Sequence, residues 1–296
     1  MALVKLLHND KAGDEEHSHD DLILLIESKG FTCEYSSVEK QGWHKISDET
    51  DFLVIAGGDG TIRKVIKKLL NRRSIEKKFP MAILPLGTAN NLAKTLGADM
   101  DTDEAVESWV KFNKRPFDVG KIYGLKNNDF FLEGLGFGVF PYLIKRMNSS
   151  EIKQTESTEE KITIALTELL EIIQDYKTCY CKVLIDGADH SGDYLMVEVM
   201  NIRSIGPNLN LGPDVLVDDG EFDIVLVGEH DRIELAKYVT NKLKGIEIRP
   251  QLNVIKGKNI TLNWGGTDCH IDDQCVKLKQ SLEIKIEVQK SLLEFL

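Results

Sequence analysis

No apolar run in this chain approaches the roughly 18 residues that a helix needs to cross a membrane. Basic residues are in deficit, with 37 Lys and Arg against 48 acids in 296 residues, a net charge of −11. A general nucleic-acid binder carries a basic footprint, so no nucleic-acid partner is expected. Cysteine is sparse: its five positions, 33, 179, 181, 269 and 275, are odd in number and include no CxxC. That spacing supports neither a disulfide framework nor a cysteine zinc site, and a reduced cytoplasm is the expected compartment. His17 and His19 in "EEHSHD" have no further His or Cys nearby, so no metal site is expected there. Internal repeats and low-complexity tracts are missing. The start, "MALVKLLHND", holds one Lys and a short apolar stretch, and is expected to be a first strand rather than a signal peptide.

What the chain does have is a 42% hydrophobic content, enough for a sizeable core in one large or two ordinary domains. Strand and helix signals alternate over residues 2–120. Leu3–Leu7 reads as a strand, and "DLILLIESKG" as a helix closing at Gly30. This order predicts a parallel α/β sheet. Near Phe117 the texture changes to short alternating segments: "FDVGKIYG", "DFFLEGLGFGVF", "CKVLIDGADHSGDYLMVEVMN", "FDIVLVGEH", "KNITLNW" and "LEIKIEV". Cys181, Val183 and Ile185 alternate with polar neighbours, Asp186-Gly187 offers a hairpin turn, and Leu195, Val197 and Val199 alternate again. Helical insertions are expected at about 158–177, where Ser157 and Glu160 can form a capping box, and at about 231–244. The polar stretch "NSSEIKQTESTEE" is expected to be a loop. The predicted architecture is an α/β domain over 1–118 and an antiparallel β-rich domain over 119–296, whose last residues can pack back on the first.

Two glycine turns carry the chemistry. In "DFLVIAGGDGTIRKVIKKLL", Ile62, Val65, Ile66, Leu69 and Leu70 define one helical face. Gly57-Gly58-Asp59-Gly60-Thr61 therefore lies where a strand feeds a helix N-terminus, a place suited to an anion. Neither GxxxxGK[ST] nor a complete GxGxxG is present. An aspartate among such glycines either orders the turn or holds Mg²⁺. The second turn, in "MAILPLGTANNLAKTLG", repeats the design: a strand at 81–84, Gly87, then a helix started by Thr88 or Asn90 and closed by Gly97. In a parallel sheet both turns fall at the carboxyl ends of strands, where such folds bind ligands.

"GGDGT" at 57–61 and "PLGTANNLA" at 85–93 resemble the diacylglycerol kinase catalytic domain family, and more narrowly its bacterial lipid kinases, relatives of the sphingosine and ceramide kinases and, more distantly, of NAD kinases. "FDVGKI" at 117–122, "FLEGLGFG" at 131–138, "NLGPDVLVDDGEFDIVLV" at 210–227 and "CHIDDQCVKL" at 269–278 resemble later segments of the same family in the same order. The resemblance implies an NAD kinase-like α/β domain that binds ATP between the glycine turns, with a C-terminal antiparallel β-sandwich that closes the cleft. It places Asn9, Ser36 or Ser37, Gly57, Gly58, Asp59, Gly60, Thr61, Gly87, Thr88, Asn90 and Asn91 at the nucleotide, with Asp59 among the catalytic residues. It assigns Leu216, Asp219 and Glu221 to a structural Mg²⁺ loop, Leu216 and Glu221 through their carbonyls. "VDDGEFD", taken by itself, suits either a hard cation or a solvated β-turn.

The chain departs from the family in places. Arg63-Lys64 stands where relatives often carry Asn-Glu, Asn91 where many have Asp, and Asp214 where Ala is frequent. Gln274 holds the position of the Glu that the family uses as proton acceptor, and an amide takes no proton at neutral pH. If residues 269–278 form one extended strand, Asp272 shares a face with Gln274 and is the candidate substitute base. Asn201 and Arg203 end a strand and could hold a phosphate. Arg63, Lys64, Lys67, Lys68, Arg72, Arg73, Lys77 and Lys78 form a basic window, either an ordinary solvated face or one drawn to an anionic membrane surface. The expected function is an ATP- and Mg²⁺-dependent lipid kinase acting on the hydroxyl of diacylglycerol or a related lipid acceptor. Such a protein would be cytoplasmic, peripherally and transiently membrane-associated, and free to form a homodimer. The alternatives are a kinase of a soluble acceptor such as NAD, and a non-catalytic nucleotide or lipid sensor, which Gln274 would permit.

Overall fold

The computed structural model describes residues 1–12, 18–71, 77–126, 128–149, 157–278 and 282–296. His17, Arg72, Arg73 and the middle of the polar stretch, 150–156, lie outside the described residues. The chain divides into two compact units, Met1–Phe117 with Leu293–Leu296, and Asp118–Leu292.

The first unit is built from β1 (Leu3–His8), α1 (His19–Ser28), β2 (Thr32–Ser37), β3 (Phe52–Gly57), α2 (Asp59–Leu70), β4 (Met81–Pro85), α3 (Asn91–Leu96) and α4 (Thr102–Ser108). Its sheet is parallel, in the order β4-β3-β1-β2, and Phe295 from the chain's last residues pairs beside Met81. The central strand β3 is buried at every position, as its unbroken "FLVIA" demands, whereas the edge strand β2 alternates. Gly30 follows α1 at φ +89, and Gly97 closes α3 at φ +69, both as expected of C-terminal helix glycines. The helix expected to follow the first glycine turn begins within it, at Asp59. Asp59, Gly60 and Thr61 are therefore its first turn, with Gly58 as the N-cap.

The second unit contains β5 (Arg115–Tyr123), which enters it from the first, β6 (Phe130–Phe131), β7 (Gly134–Gly138), α5 (Val139–Ser149), α6 (Thr158–Asp175), β8 (Cys179–Ile185), β9 (Ala188–Asp189), β10 (Gly192–Met200), β11 (Ser204–Ile205), β12 (Leu209–Asn210), β13 (Phe222–Gly228), α7 (Arg232–Leu243), β14 (Asn253–Gly257), β15 (Asn259–Trp264), β16 (Asp268–Ile271), β17 (Gln274–Lys277) and most of β18 (Glu283–Phe295). Pairing is antiparallel throughout, running β17-β16-β7-β10-β8-β15-β18, with β13 and β14 branching from β10. The capping box of Ser157 and Glu160 forms at the head of α6. Asp186 and Gly187, at φ +48 and +89, make the two-residue turn between β8 and β9.

Two apolar clusters sit on opposite faces of β10. Val197 and Val199 join Phe131, Phe137, Val183 and Trp264 on one face, while Met196 and Met200 join α5, α6 and α7 on the other. Leu195 belongs to the helical side and not, as simple alternation predicts, with Val197 and Val199. A register shift between Tyr194 and Met196 moves it there. Helix α5 is an addition to the sequence reading: "VFPYL" looks like strand, but Pro141 falls in the first helical turn, where its missing N–H costs nothing.

Candidate functional site

The two glycine turns meet backbone to backbone. A Cβ placed on Gly58 would lie 3.0 Å from the Cα of Gly87, and one on Gly87 would run into Gly58 and into the Asn90 side chain. This close approach explains the glycines before any ligand is considered. Asn90, held at φ +51, ties its own turn together: its Oδ1 accepts from Gly87 N–H at 3.0 Å, and its Nδ2 donates to the carbonyls of Pro85 at 3.1 Å and Gly87 at 2.8 Å. Asp59 joins the two turns. Its carboxylate accepts from the backbone N–H groups of Asn91 at 3.0 Å and Leu92 at 3.2 Å, so the first residue of α2 caps α3. Asn9, at the end of β1, donates from Nδ2 to Thr61 Oγ1 at 2.9 Å.

An open depression of about 310 Å³ lies over this junction, lined by Asn9, Ala12, Gly58, Gly60, Thr61, Lys64, Gly87 and Thr88. Six of the residues read from the sequence thus line one surface. Gly57, Asp59, Asn90 and Asn91 build the turns beneath it, and Asn91 is buried. Ser37 closes β2 and is buried, its hydroxyl accepting from Glu39 N–H at 3.3 Å; it does not line the depression. Lys64 is the one cation in the lining, with Nζ 2.7 Å from Glu39. At the head of α2 the Thr61 N–H donates to the Gly58 carbonyl at 2.9 Å, and with the first-turn amides before it the surface combines amides, hydroxyls and one ammonium: a phosphate-accepting chemistry. It offers no carboxylate. A metal here would find side-chain oxygens on Asn9, Thr61 and Thr88 and no carboxylate in the lining, a weak set for a hard cation unless phosphate oxygens complete it.

The basic window is thinner than its sequence implies. Arg63 is 3% exposed, and Lys77 donates to the carbonyls of Asp48 and Thr50 at 3.0 and 2.6 Å. Lys67 and Lys68 remain exposed in the last turn of α2, where they complement the helix dipole while Asp59 complements the first turn.

In the second unit the extended-strand reading of 269–278 is corrected. Ile271 pairs with Gln274, and Asp272-Asp273 is the turn between them, with Asp272 at φ +51. Asp272 therefore does not share a strand face with Gln274. Its buried carboxylate accepts from the N–H groups of Leu132 at 3.0 Å, Glu133 at 2.8 Å and Gly134 at 3.2 Å, clipping the turn to the start of β7. Such a carboxylate is an anchor, not a base. Gln274 is exposed. Asn201, fully buried, donates to the carbonyls of Asp118 and Leu132 at 2.8 Å each. Arg203 donates from Nε to the Val215 carbonyl at 3.4 Å.

A buried pair under this turn was not read from the sequence, although a lone Glu within "YLMVEVM" signals it. Glu198 and His270 face each other across Gly136, their nearest polar atoms 2.8 Å apart. A Cβ on Gly136 would occupy the Glu198 carboxylate, so the glycine makes room for it. The Asp272 carbonyl, 2.9 Å from His270 Nδ1, can only accept, which places a proton on Nδ1. Burial pushes Glu198 above the usual carboxylate range. Burial works against charge on His270, but the adjacent Glu198 outweighs it and raises the imidazole overall. The pair thus keeps a proton between its two side chains and braces the Asp272 turn from below.

The metal loop that the resemblance implies has one side-chain ligand, Asp219, and two backbone carbonyls. Among the described residues no group of three or more His, Cys, Asp or Glu is placed to hold a metal ion. Leu216 is half exposed. Asp219 turns its Oδ1 to Glu221 N–H at 3.0 Å and its Oδ2 to Lys256 Nζ at 2.7 Å. Leu216, Asp219 and Glu221 do not fit the ion, because the charged member already has a cation.

Two outcomes follow from this geometry. Gly87→Ala should push the turns apart and cost about 1–3 kcal/mol, the usual penalty of an overpacked site, with weakened ATP binding; unchanged denaturant unfolding and ATP titration would contradict the backbone contact. For His270 the folded value is raised, so its stabilisation is complete below the ordinary imidazole value of 6.5 and is lost as pH rises through the folded value. The stability difference between the native protein and the double variant Glu198→Gln with His270→Gln, which removes both titrating groups, should therefore shrink from pH 6.5 upward, measured by urea unfolding at a series of pH values. A difference that stays flat or grows would contradict the shared proton.

Comparison with known proteins follows the same division. The model described as "Diacylglycerol kinase catalytic domain" matches residues 4–122, and that described as "YegS C-terminal NAD kinase beta sandwich-like domain" matches residues 148–273. The chain is 25% identical over 210 residues to a diacylglycerol kinase of Bacillus subtilis, a match that takes in 69% of this chain and 63% of that protein's length. A crystal structure of a diacylglycerol kinase from Bacillus anthracis superposes with a TM-score of 0.74 at 22% identity, covering 99% of this chain and 96% of the other. An NAD kinase from Archaeoglobus fulgidus, in complex with ATP, shares the fold at a TM-score of 0.53 and 14% identity, over 100% of this chain and 93% of that one. With an α/β unit of joined glycine turns that matches the one model and a β-rich unit that matches the NAD kinase-like β-sandwich model, the chain belongs to the diacylglycerol kinase catalytic-domain family.

Proposed function

We propose that the protein transfers the γ-phosphate of ATP, delivered with its Mg²⁺, to the hydroxyl of diacylglycerol or a related lipid. The observation that carries this reading is the depression over the Gly58–Gly87 contact, where helix amides, Asn9, Thr61, Lys64 and Thr88 converge with no carboxylate to repel a polyphosphate. The acceptor oxygen forms the new O–P bond, the bond to the bridging oxygen breaks, ADP departs, and the hydroxyl proton leaves to solvent or phosphate. In a loose transition state, catalysis is mostly positioning and charge stabilisation. The helix head and Lys64 supply the charge term, and Asn9 and Thr88 position the phosphates. The Mg²⁺ neutralises phosphate charge when bound and is carried chiefly by the phosphates. Gln274, an amide, cannot take a proton, and Asp272 is engaged by three backbone N–H groups. No helix among the described residues is long and apolar enough to cross a membrane, and we take the protein to reach its lipid from the membrane surface.

One observation favours a second reading. With an amide at Gln274, where the resemblance puts the family's proton acceptor, and with Asp272 engaged, the second unit lacks that acceptor, as a nucleotide or lipid sensor would. Incubation with γ-labelled ATP, Mg²⁺ and a panel of diacylglycerol, sphingosine, ceramide and NAD separates the readings. We expect slow label transfer into a lipid extract, raised about 10²-fold or more in Gln274→Glu, as a restored general base contributes. Label appearing only in NADP would give the soluble-acceptor reading. Label appearing nowhere, even with Gln274→Glu, while ATP still binds, would give the sensor.

A further inference from the structure

The acidic stretch between β12 and β13 places Asp218, Asp219, Glu221 and Asp223 within six residues. Its backbone is fixed from within the unit. Buried Asp118 accepts from Gly220 N–H at 2.7 Å and from Ser291 N–H at 2.6 Å, and its own N–H donates to the Val217 carbonyl at 2.7 Å. Gly220, at φ +82, makes the turn. The loop is thus rigid and rich in negative charge, an arrangement that a cation would stabilise.

Three lysines converge on it, two from strands β14 and β18 and one, Lys258, from the turn between β14 and β15. Lys256 lies directly across from Asp223 in the β13–β14 register. Its Nζ sits 2.7 Å from Asp219 Oδ2 and 3.7 Å from Asp223 Oδ2. Lys290 reaches in from β18, its stem packed 3.2 Å from where a Gly220 Cβ would stand and its Nζ 3.5 Å from the Asp219 carbonyl oxygen. Lys258 Nζ lies 3.8 Å from Glu221 Oε1. Asp219 itself is four-fifths buried and Asp223 almost fully so, while the Lys256 stem remains partly exposed.

We propose that this loop carries its own cation: the Lys256 ammonium, seconded by Lys290, fills the role at Asp219 that a divalent ion would otherwise have, and the second unit folds without a metal there. A divalent ion at Asp219 would have to displace an ammonium hydrogen-bonded at 2.7 Å and then sit among three positive charges. Mg²⁺ dependence of this protein would then report the nucleotide alone.

The test is thermal unfolding of the full chain without nucleotide, in EDTA and in millimolar Mg²⁺, so that its outcome is independent of the kinase reading. The native Tm should be the same in both. Lys256→Met, which keeps the stem and removes the ammonium, should lower Tm by about 2–4 °C in EDTA. Mg²⁺ should recover part of that loss in Lys256→Met but not in Lys256→Met combined with Asp219→Asn. A native Tm that rises with Mg²⁺, with the rise abolished by Asp219→Asn, would overturn the proposal, and this comparison stands even if Lys256→Met does not fold. A Lys256→Met protein that melts as the native does would overturn it as well.

Discussion

Asp59 brings a full negative charge to the head of α2, where the helix dipole favours it, and directs that charge sideways to two N–H groups of α3. Much of the first unit's site follows from this contact. It fixes the distance between two loops that leave neighbouring parallel strands, and only glycine at 58 and 87 permits the resulting backbone approach. Asn90 then folds its own turn around Gly87, and Thr61 is set where Asn9 can hold it. The phosphate-accepting surface is assembled by the chain's own side chains and needs no ligand to organise it.

The second unit uses the same device. Asp272 gathers three successive N–H groups at the start of β7, and Asp118 gathers those of Gly220 and Ser291. A carboxylate that accepts several backbone N–H groups is satisfied without a cation, which is why acidic motifs in this chain build turns. The Glu198–His270 pair adds a support under one of them. Charged side chains here mostly shape the backbone, and the surfaces offered to ligands are made of amides and hydroxyls.

Much of the architecture was legible because it rests on local rules. The glycines after α1 and α3, the capping box at Ser157 and the Asp186-Gly187 turn are all short-range signals. Apolar β3 followed at once by a helical face placed the first glycine turn. The failures share a cause: each was decided by partners distant in sequence. Alternation put Asp272 beside Gln274, but the β16–β7 pairing turns the chain at Asp272 and gives its carboxylate to residues 132–134. Leu195 changed face through a bulge set against β13. "VDDGEFD" read as a cation loop because Lys256 and Lys290, more than thirty residues on, do not show in it. Asp59 could be read as either a loop organiser or a metal ligand, and its bonds to α3, invisible in the sequence, show the organising contact.

The central claim, that Asp59 preassembles the two glycine turns proposed to hold ATP, is tested most directly by residue-resolved hydrogen exchange with and without ATP. The Asn91 and Leu92 amides should be protected in the free protein and change little when ATP is added, while the amides of Asp59 and Gly60 at the head of α2 gain protection. Rapid exchange at Asn91 and Leu92 in the free protein, slowed only by ATP, would show that the ligand and not the aspartate builds the site.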